Sequence, residues 1–145
     1  MRTEAIKKYE MAADNFKKEN NTNSYACALR DMGREYACID SISRALEILI
    51  MADSIAETSE NKNVKTSIEN TLGNIYVMQN KYDKAKKFFY KALEGRNKMP
   101  NYMALIDLYI ASDSINQAKG FLQKIPQDDP TYTYSTVSYT HLRAH

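Results

Sequence analysis

Three stretches of this chain superpose column by column, and that self-similarity constrains its fold more than any other feature. They read DMGREYACIDSISRALEILIMA, TLGNIYVMQNKYDKAKKFFYKA and LIDLYIASDSINQAKGFLQKI. A tyrosine recurs at Tyr36, Tyr76 and Tyr109, at intervals of 40 and 33 residues. Four residues after each stands Asp40, Asn80 or Asp113, six after stands Ile42, Tyr82 or Ile115, and nine after stands Ala45, Ala85 or Ala118. Thirteen after comes Leu49, Phe89 or Leu122, and sixteen after comes Ala52, Ala92 or Ile125. A unit of this length cannot bury its own apolar face and must stack on its neighbours.

Each column has a physical reason. The tyrosine and the preceding Met32-Gly33 or Leu72-Gly73 form one face of a first helix. A glycine inside a helix costs about 1 kcal/mol, and close approach of a neighbouring helix justifies it at Gly33 and Gly73. The Asp or Asn column suits a turn, because these residues tolerate left-handed geometry and cap the next helix. Alanine, leucine or phenylalanine, and alanine or isoleucine at spacings of 4 and 3 make a narrow apolar stripe on a second helix. These columns resemble the tetratricopeptide repeat, whose signature positions are filled by Leu72-Gly73, Tyr76, Ala85, Phe89 and Ala92, and again by Met32-Gly33, Tyr36, Ala45, Leu49 and Ala52. The third copy departs, with Ile106 where the small residue belongs, and Pro100 falls a few residues late for the signature proline. The longer first interval places its extra residues in AETSENKNV, read as a polar connection or as an extension of the preceding helix.

The expected fold is all-α, an α-solenoid of antiparallel helical hairpins with about seven helices. Helices are expected at 3–19, 23–38, 41–58, 64–79, 82–95, 100–111 and 114–124, with a further one starting near Pro130, whose fixed φ suits a first helical position. Ala5, Tyr9 and Ala12 repeat the offsets of a second helix, so residues 1–20 read as half a repeat. Residues 21–60, 61–98 and 99–127 are then three repeats, and 128–136 begin another. Four glycines, three prolines and no tryptophan in 145 residues agree with a helical chain of one domain. The net charge of +2 gives no whole-chain field toward nucleic acid or an acidic membrane. No apolar run approaches the ~20 residues of a membrane span, and MRTEAIKKYEMAAD has no signal-peptide core. Cys27 and Cys38 lie on one helix about 16 Å apart, too far to bridge. Two free thiols fit a reducing, cytoplasmic compartment. An extracytoplasmic array in a membrane-anchored regulator is the other setting.

The only two histidines, His141 and His145, fall in the closing TVSYTHLRAH. Val137–His145 resembles a transposon sequencing adaptor translated in one frame, with Thr136 compatible with the bases before it. On that resemblance Val137–His145 is a non-native tail to be set aside from fold reasoning, and the chain is a fragment open at both ends. Without those histidines a His-based triad, general base or metal site is ruled out, so no catalytic or metal residue and no cofactor is expected. Cys27 and Cys38 read as small apolar side chains. Asp128 and Asp129 favour a helix N-terminus. The lysines of KYDKAKKFFYKALEGRNK read as a solvated outer face, because Phe89 belongs to the core.

Function is expected on the first helices, which line the concave groove of a solenoid. The resemblance to peptide-binding tetratricopeptide domains points to the columns six and two residues before the tyrosine. These hold Arg30 and Arg34, Asn70 and Asn74, and Met103 and Asp107. Arginine forks and asparagine amides suit a peptide backbone and an acidic or carboxyl end. The expected function is a non-catalytic module binding a peptide or partner protein, not nucleic acid. The alternative is the sensory or scaffold portion of a longer bacterial regulator, resembling arrays of Bacteroidetes type.

Overall fold

Why the chain folds into paired helices is clearest at its turns. The computed structural model describes residues 2–144, and of Thr131, Val137, Ser138 and residues 141–144 the backbone only. Within them run α1 (Arg2–Lys18), α2 (Thr22–Cys38), α3 (Ile42–Ala56), α4 (Lys62–Met78), α5 (Tyr82–Ala92), α6 (Met99–Ala111), α7 (Ile115–Leu122) and α8 (Pro130–Ala144). Asp40, Asn80 and Asp113 have φ of 62, 59 and 59°, so the recurring Asp/Asn is the left-handed residue that reverses the chain. The capping half of that expectation fails. Ser41, Lys81 and Ser114 hold the N-cap positions of α3, α5 and α7, and none makes a side-chain cap hydrogen bond.

Asn20 has the same geometry, with φ of 57°, and joins α1 to α2 through an equally short turn. The α1–α2 corner therefore resembles the turns inside the hairpins, although Ala5, Tyr9 and Ala12 carry second-helix spacing. The longer interval between the first two tyrosines is helix rather than loop. Here α3 and α4 have 15 and 17 residues where α5 and α6 have 11 and 13, so each is longer by about one turn.

The repeat columns form the core. Ala45, Ala85, Ala118, Leu49, Phe89, Ala52 and Ala92 are fully buried, and Leu122 and Ile125 are nearly so. A Cβ placed on Gly33 would lie 2.6 Å from Leu49 Cγ, and one on Gly73 2.6 Å from Phe89 Cε1. The two glycines thus seat the leucine or phenylalanine of their own second helix. In the third repeat Ile106 replaces the glycine and is itself fully buried in one cluster with Leu122. A larger residue on the first helix faces a smaller partner than Phe89, and α7 is correspondingly short at eight residues.

Among the described residues the backbones of α2 and α4, of α4 and α6, and of α6 and α8 lie close together, whereas those of α3, α5 and α7 stay apart, α5 and α7 meeting through the Tyr90 and Phe121 rings with centroids 5.9 Å apart. The row whose backbones approach is the inner row of the curve, so the first helices face inward. Helix α8 opens at Pro130 as expected, but it runs on through Ala144, and Tyr139 packs half-buried on the second core cluster. His141 and His145 lie outside the residues whose side chains are described. The thiols differ from expectation: Cys27 packs against the core, whereas Cys38 is exposed at the end of α2.

Candidate functional site

On the inner face, polar side chains link successive first helices. Arg30 Nη1 donates to Ser67 Oγ at 2.8 Å, joining α2 to α4. The same guanidinium binds Asp31 Oδ1 at 3.0 Å through Nε and Nη2. Asn74 donates to Asn70 Oδ1 at 3.2 Å, and Asn70 donates to Asn101 Oδ1 at 2.7 Å, joining α4 to α6. Asn101 is buried and donates onward to the Ala92 carbonyl at 3.4 Å. The helices supply this row because residues four apart share a face, as Asn70 and Asn74 do.

Beside the row lies a cleft of about 300 Å³ lined by Arg34, Asn63, Thr66, Ser67, Asn70, Asn97, Pro100 and Asn101. Arg34 is its only ionic side chain, 58% exposed and 3.7 Å from Asp31. The remaining polar lining offers neutral amides and hydroxyls, which suit a peptide main chain.

The structure divides the candidates named from sequence. Arg34 and Asn70 line the cleft; Arg30 is half-buried and spent on Ser67 and Asp31. Asn74 and Asp107 instead share a second, smaller cleft of about 170 Å³ with Val77, Tyr82, Phe89, Ala104, Leu108 and Ala111. Burial pushes the Asp107 carboxyl above its ordinary range. Met103, the other residue of that pair, is half-buried on α6.

Two buried polar residues escape the column reading. Glu69 is 2% exposed, and Lys65 beside it binds Asp53 at 3.1 Å, Glu57 at 2.7 Å and Glu69 at 3.7 Å. Burial pushes the Glu69 carboxyl up to about 7; Lys65 opposes that and Asp53 reinforces it. Partial burial works against the Lys65 ammonium, but hydrogen bonds to Glu57 and Asp53 hold its pKa above the ordinary value. This cluster ties α3 to α4 rather than forming a site. The missed signal was available upstream of the tyrosine. Seven residues before it stand Leu29, Glu69 and Tyr102, and eight before it stand Ala28, Ile68 and Asn101. In each column one polar residue interrupts apolar ones.

Among the described residues no group of three or more His, Cys, Asp and Glu side chains comes together as a metal site, and no helix is long and apolar enough to cross a membrane.

Residues 76–135 match the model of the tetratricopeptide repeat family. No curated protein sequence matches the chain. The crystal structure of nearly identical TPR-like repeats from a Podosopora anserina protein named as a kinesin light chain superposes with a TM-score of 0.76 at 13% identity, covering 99% of this chain and 77% of that one. At that identity the likeness is one of fold. The chain is thus an all-α, tetratricopeptide-like helical-repeat protein, in fold over nearly its whole length and in sequence over residues 76–135.

Proposed function

We propose that this chain is a non-catalytic interaction module that holds an extended peptide against the inner face of α2, α4 and α6. The observation that carries the reading is the polar row from Arg30 to Asn101 beside a cleft whose lining is amide, hydroxyl and one exposed guanidinium. A peptide main chain presents alternating donors and acceptors, which asparagine amides can match on both sides. Arg34 adds a charge-assisted fork for a carboxylate of the ligand. Arg34 and Asn70 are its contact residues, Arg30 and Asn101 hold the frame, and Asn74 and Asp107 border a neighbouring subsite. Repeat domains of this fold are in general interaction modules, and the chain offers no histidine outside its last residues for acid–base work.

The test is an array of extended peptides, with free and amidated C-termini, probed with the whole chain. Peptides that bind should lose about tenfold or more in affinity on Arg34→Ala, with an unchanged melting temperature, and on Asn70→Ala, which also removes the donor to buried Asn101 and is therefore compared well below its own melting transition. Binding indifferent to both substitutions would remove the inner face from consideration.

A further inference from the structure

A second repeated arrangement, apart from the inner groove, lies where the second helices pack on the first, around rings of which Tyr76 and Phe121 are themselves buried. Tyr76 stacks on Phe88 with centroids 5.6 Å apart and planes at 15°, and Tyr109 stacks on Phe121 at 6.0 Å and 14°. Each ring lies beneath a lysine. Lys84 sits 5.6 Å from the Tyr76 centroid and Lys91 5.4 Å from Phe88; Lys86 sits 5.4 Å from Tyr109 and Lys124 5.1 Å from Phe121. Phe88 and Phe121 stand 12 residues after their tyrosines, and Lys91 and Lys124 stand 15 after, so the arrangement is part of the repeat. In the first repeat these positions are Ile48 and Met51, and only Arg44 over Tyr36 remains, at 5.9 Å.

Charge is distributed to match. Residues 81–124 contain nine Lys and Arg against four Asp and Glu, whereas residues 1–80 contain ten against twelve. Of the four carboxylates, Asp107 borders the inner cleft and Asp113 sits in the α6–α7 turn. Asp83 is 3.6 Å from Lys86, and Glu94 lies just beyond the end of α5. Lys91 also lies within electrostatic reach of Glu57 and Glu69. The positive charge therefore centres on Lys87, Lys119 and Lys124, with Lys86 beside them shared between Asp83 and the Tyr109 ring.

We propose that the solvent face of α5 and α7 is a second docking surface and that its occupant is a carboxylate-rich protein segment. Single-stranded nucleic acid is the less suitable polyanion. Such sites need bare aromatic faces on which bases stack, and here the rings are stacked on each other and covered by ammonium groups. Tyr90, the most exposed aromatic of the group at 44%, is tilted against Phe121 and has its hydroxyl 2.6 Å from that of Tyr109. Carboxylates need no stacking surface. A lysine already held over a ring loses less rotamer freedom when a carboxylate arrives, and cation–π contact leaves ammonium hydrogens free to donate.

The experiment titrates the whole chain with a fluorescein-labelled decapeptide of alternating Glu and Asp, read by anisotropy at low salt and at ~0.15 M, where the Debye length is about 8 Å. Expected is saturable binding that weakens with salt and falls about tenfold or more in the triple variant Lys86→Gln, Lys87→Gln, Lys124→Gln. Arginine at the same three positions should restore it, because arginine keeps both the charge and the contact with the rings. All of these titrations are made in the Arg34→Ala background, which removes the carboxylate fork of the inner groove, so the binding that remains reports on the lysine face alone. No saturable binding at low salt, binding indifferent to the triple glutamine variant, or tighter binding of a labelled oligothymidylate would each overturn the proposal.

Discussion

Replacing Gly73 by alanine isolates the contact on which the hairpin geometry rests. In an exposed helix this change stabilises by up to about 1 kcal/mol, because alanine is the better helix former. At Gly73 the new Cβ would lie 2.6, 2.8 and 2.9 Å from three carbons of the Phe89 ring. Carbon atoms in contact ordinarily sit about 3.5–4.0 Å apart, so the ring or the α4–α5 spacing must yield by several tenths of an ångström or more. Phe89 is fully buried, so a shift of its ring must carry packed neighbours with it on every side but that of the small cleft it borders. Overpacking of this kind costs about 1–3 kcal/mol or somewhat more, and it exceeds the propensity gain. A net loss of about 1–2 kcal/mol corresponds to a fall in melting temperature of about 2–8 °C for a chain of this size. Gly120 is the internal control. A Cβ there meets nothing within 4 Å, so Gly120→Ala should raise the melting temperature by about 1–3 °C. Thermal unfolding followed by circular dichroism reads both. The reasoning fails if Gly73→Ala melts at or above the parent protein, or if the two substitutions shift it alike. A double variant adding Phe89→Leu should recover part of the loss, because a leucine opposite the alanine occupies less of the contested volume.

Three further outcomes follow from other contacts. Glu69 titrates near 7 in the folded protein and near 4.3 when unfolded, so between those values the folded state holds the extra proton and stability falls as pH rises. The unfolding free energy read from urea titrations should therefore decline from about pH 4.5 to 7, by at most about 3 kcal/mol, and Glu69→Gln should flatten the decline; a variant that keeps the full slope would exclude Glu69 as its source. Asn101→Ala leaves the Asn70 amide without its acceptor and the Ala92 carbonyl with the Gly95 N–H as its remaining donor, and should cost about 1–3 kcal/mol in the same assay. Truncation after Thr136 removes Tyr139, half-buried on the second cluster, and should lower the melting temperature by a few degrees; an unchanged value would favour the reading of Val137–His145 as an appended segment.

The fold was legible because the repeat columns are contacts. Gly33 with Leu49 and Gly73 with Phe89 are each a small residue opposite the side chain that fills its place. An amino acid chosen for its fit to a neighbour leaves its trace in composition at fixed offsets. The groove was legible only in part, because a helix face carries a direction but not a partner. Arg30 and Arg34 share columns with Asn70 and Asn74, yet Arg30 is consumed by Ser67 while Arg34 remains exposed in the cleft. That difference depends on which serine or aspartate lies across the helix interface, and no spacing within one repeat encodes it. Asn101 and Glu69 fall between these cases. Each is a polar residue in a column that is apolar in the other copies, and burial of such a group requires a partner. Asn101 has Asn70 and the Ala92 carbonyl. Glu69 has Lys65 at 3.7 Å, which only partly offsets its burial. A break in a repeat column therefore predicts a bond between helices, and its strength depends on what the adjacent helix supplies.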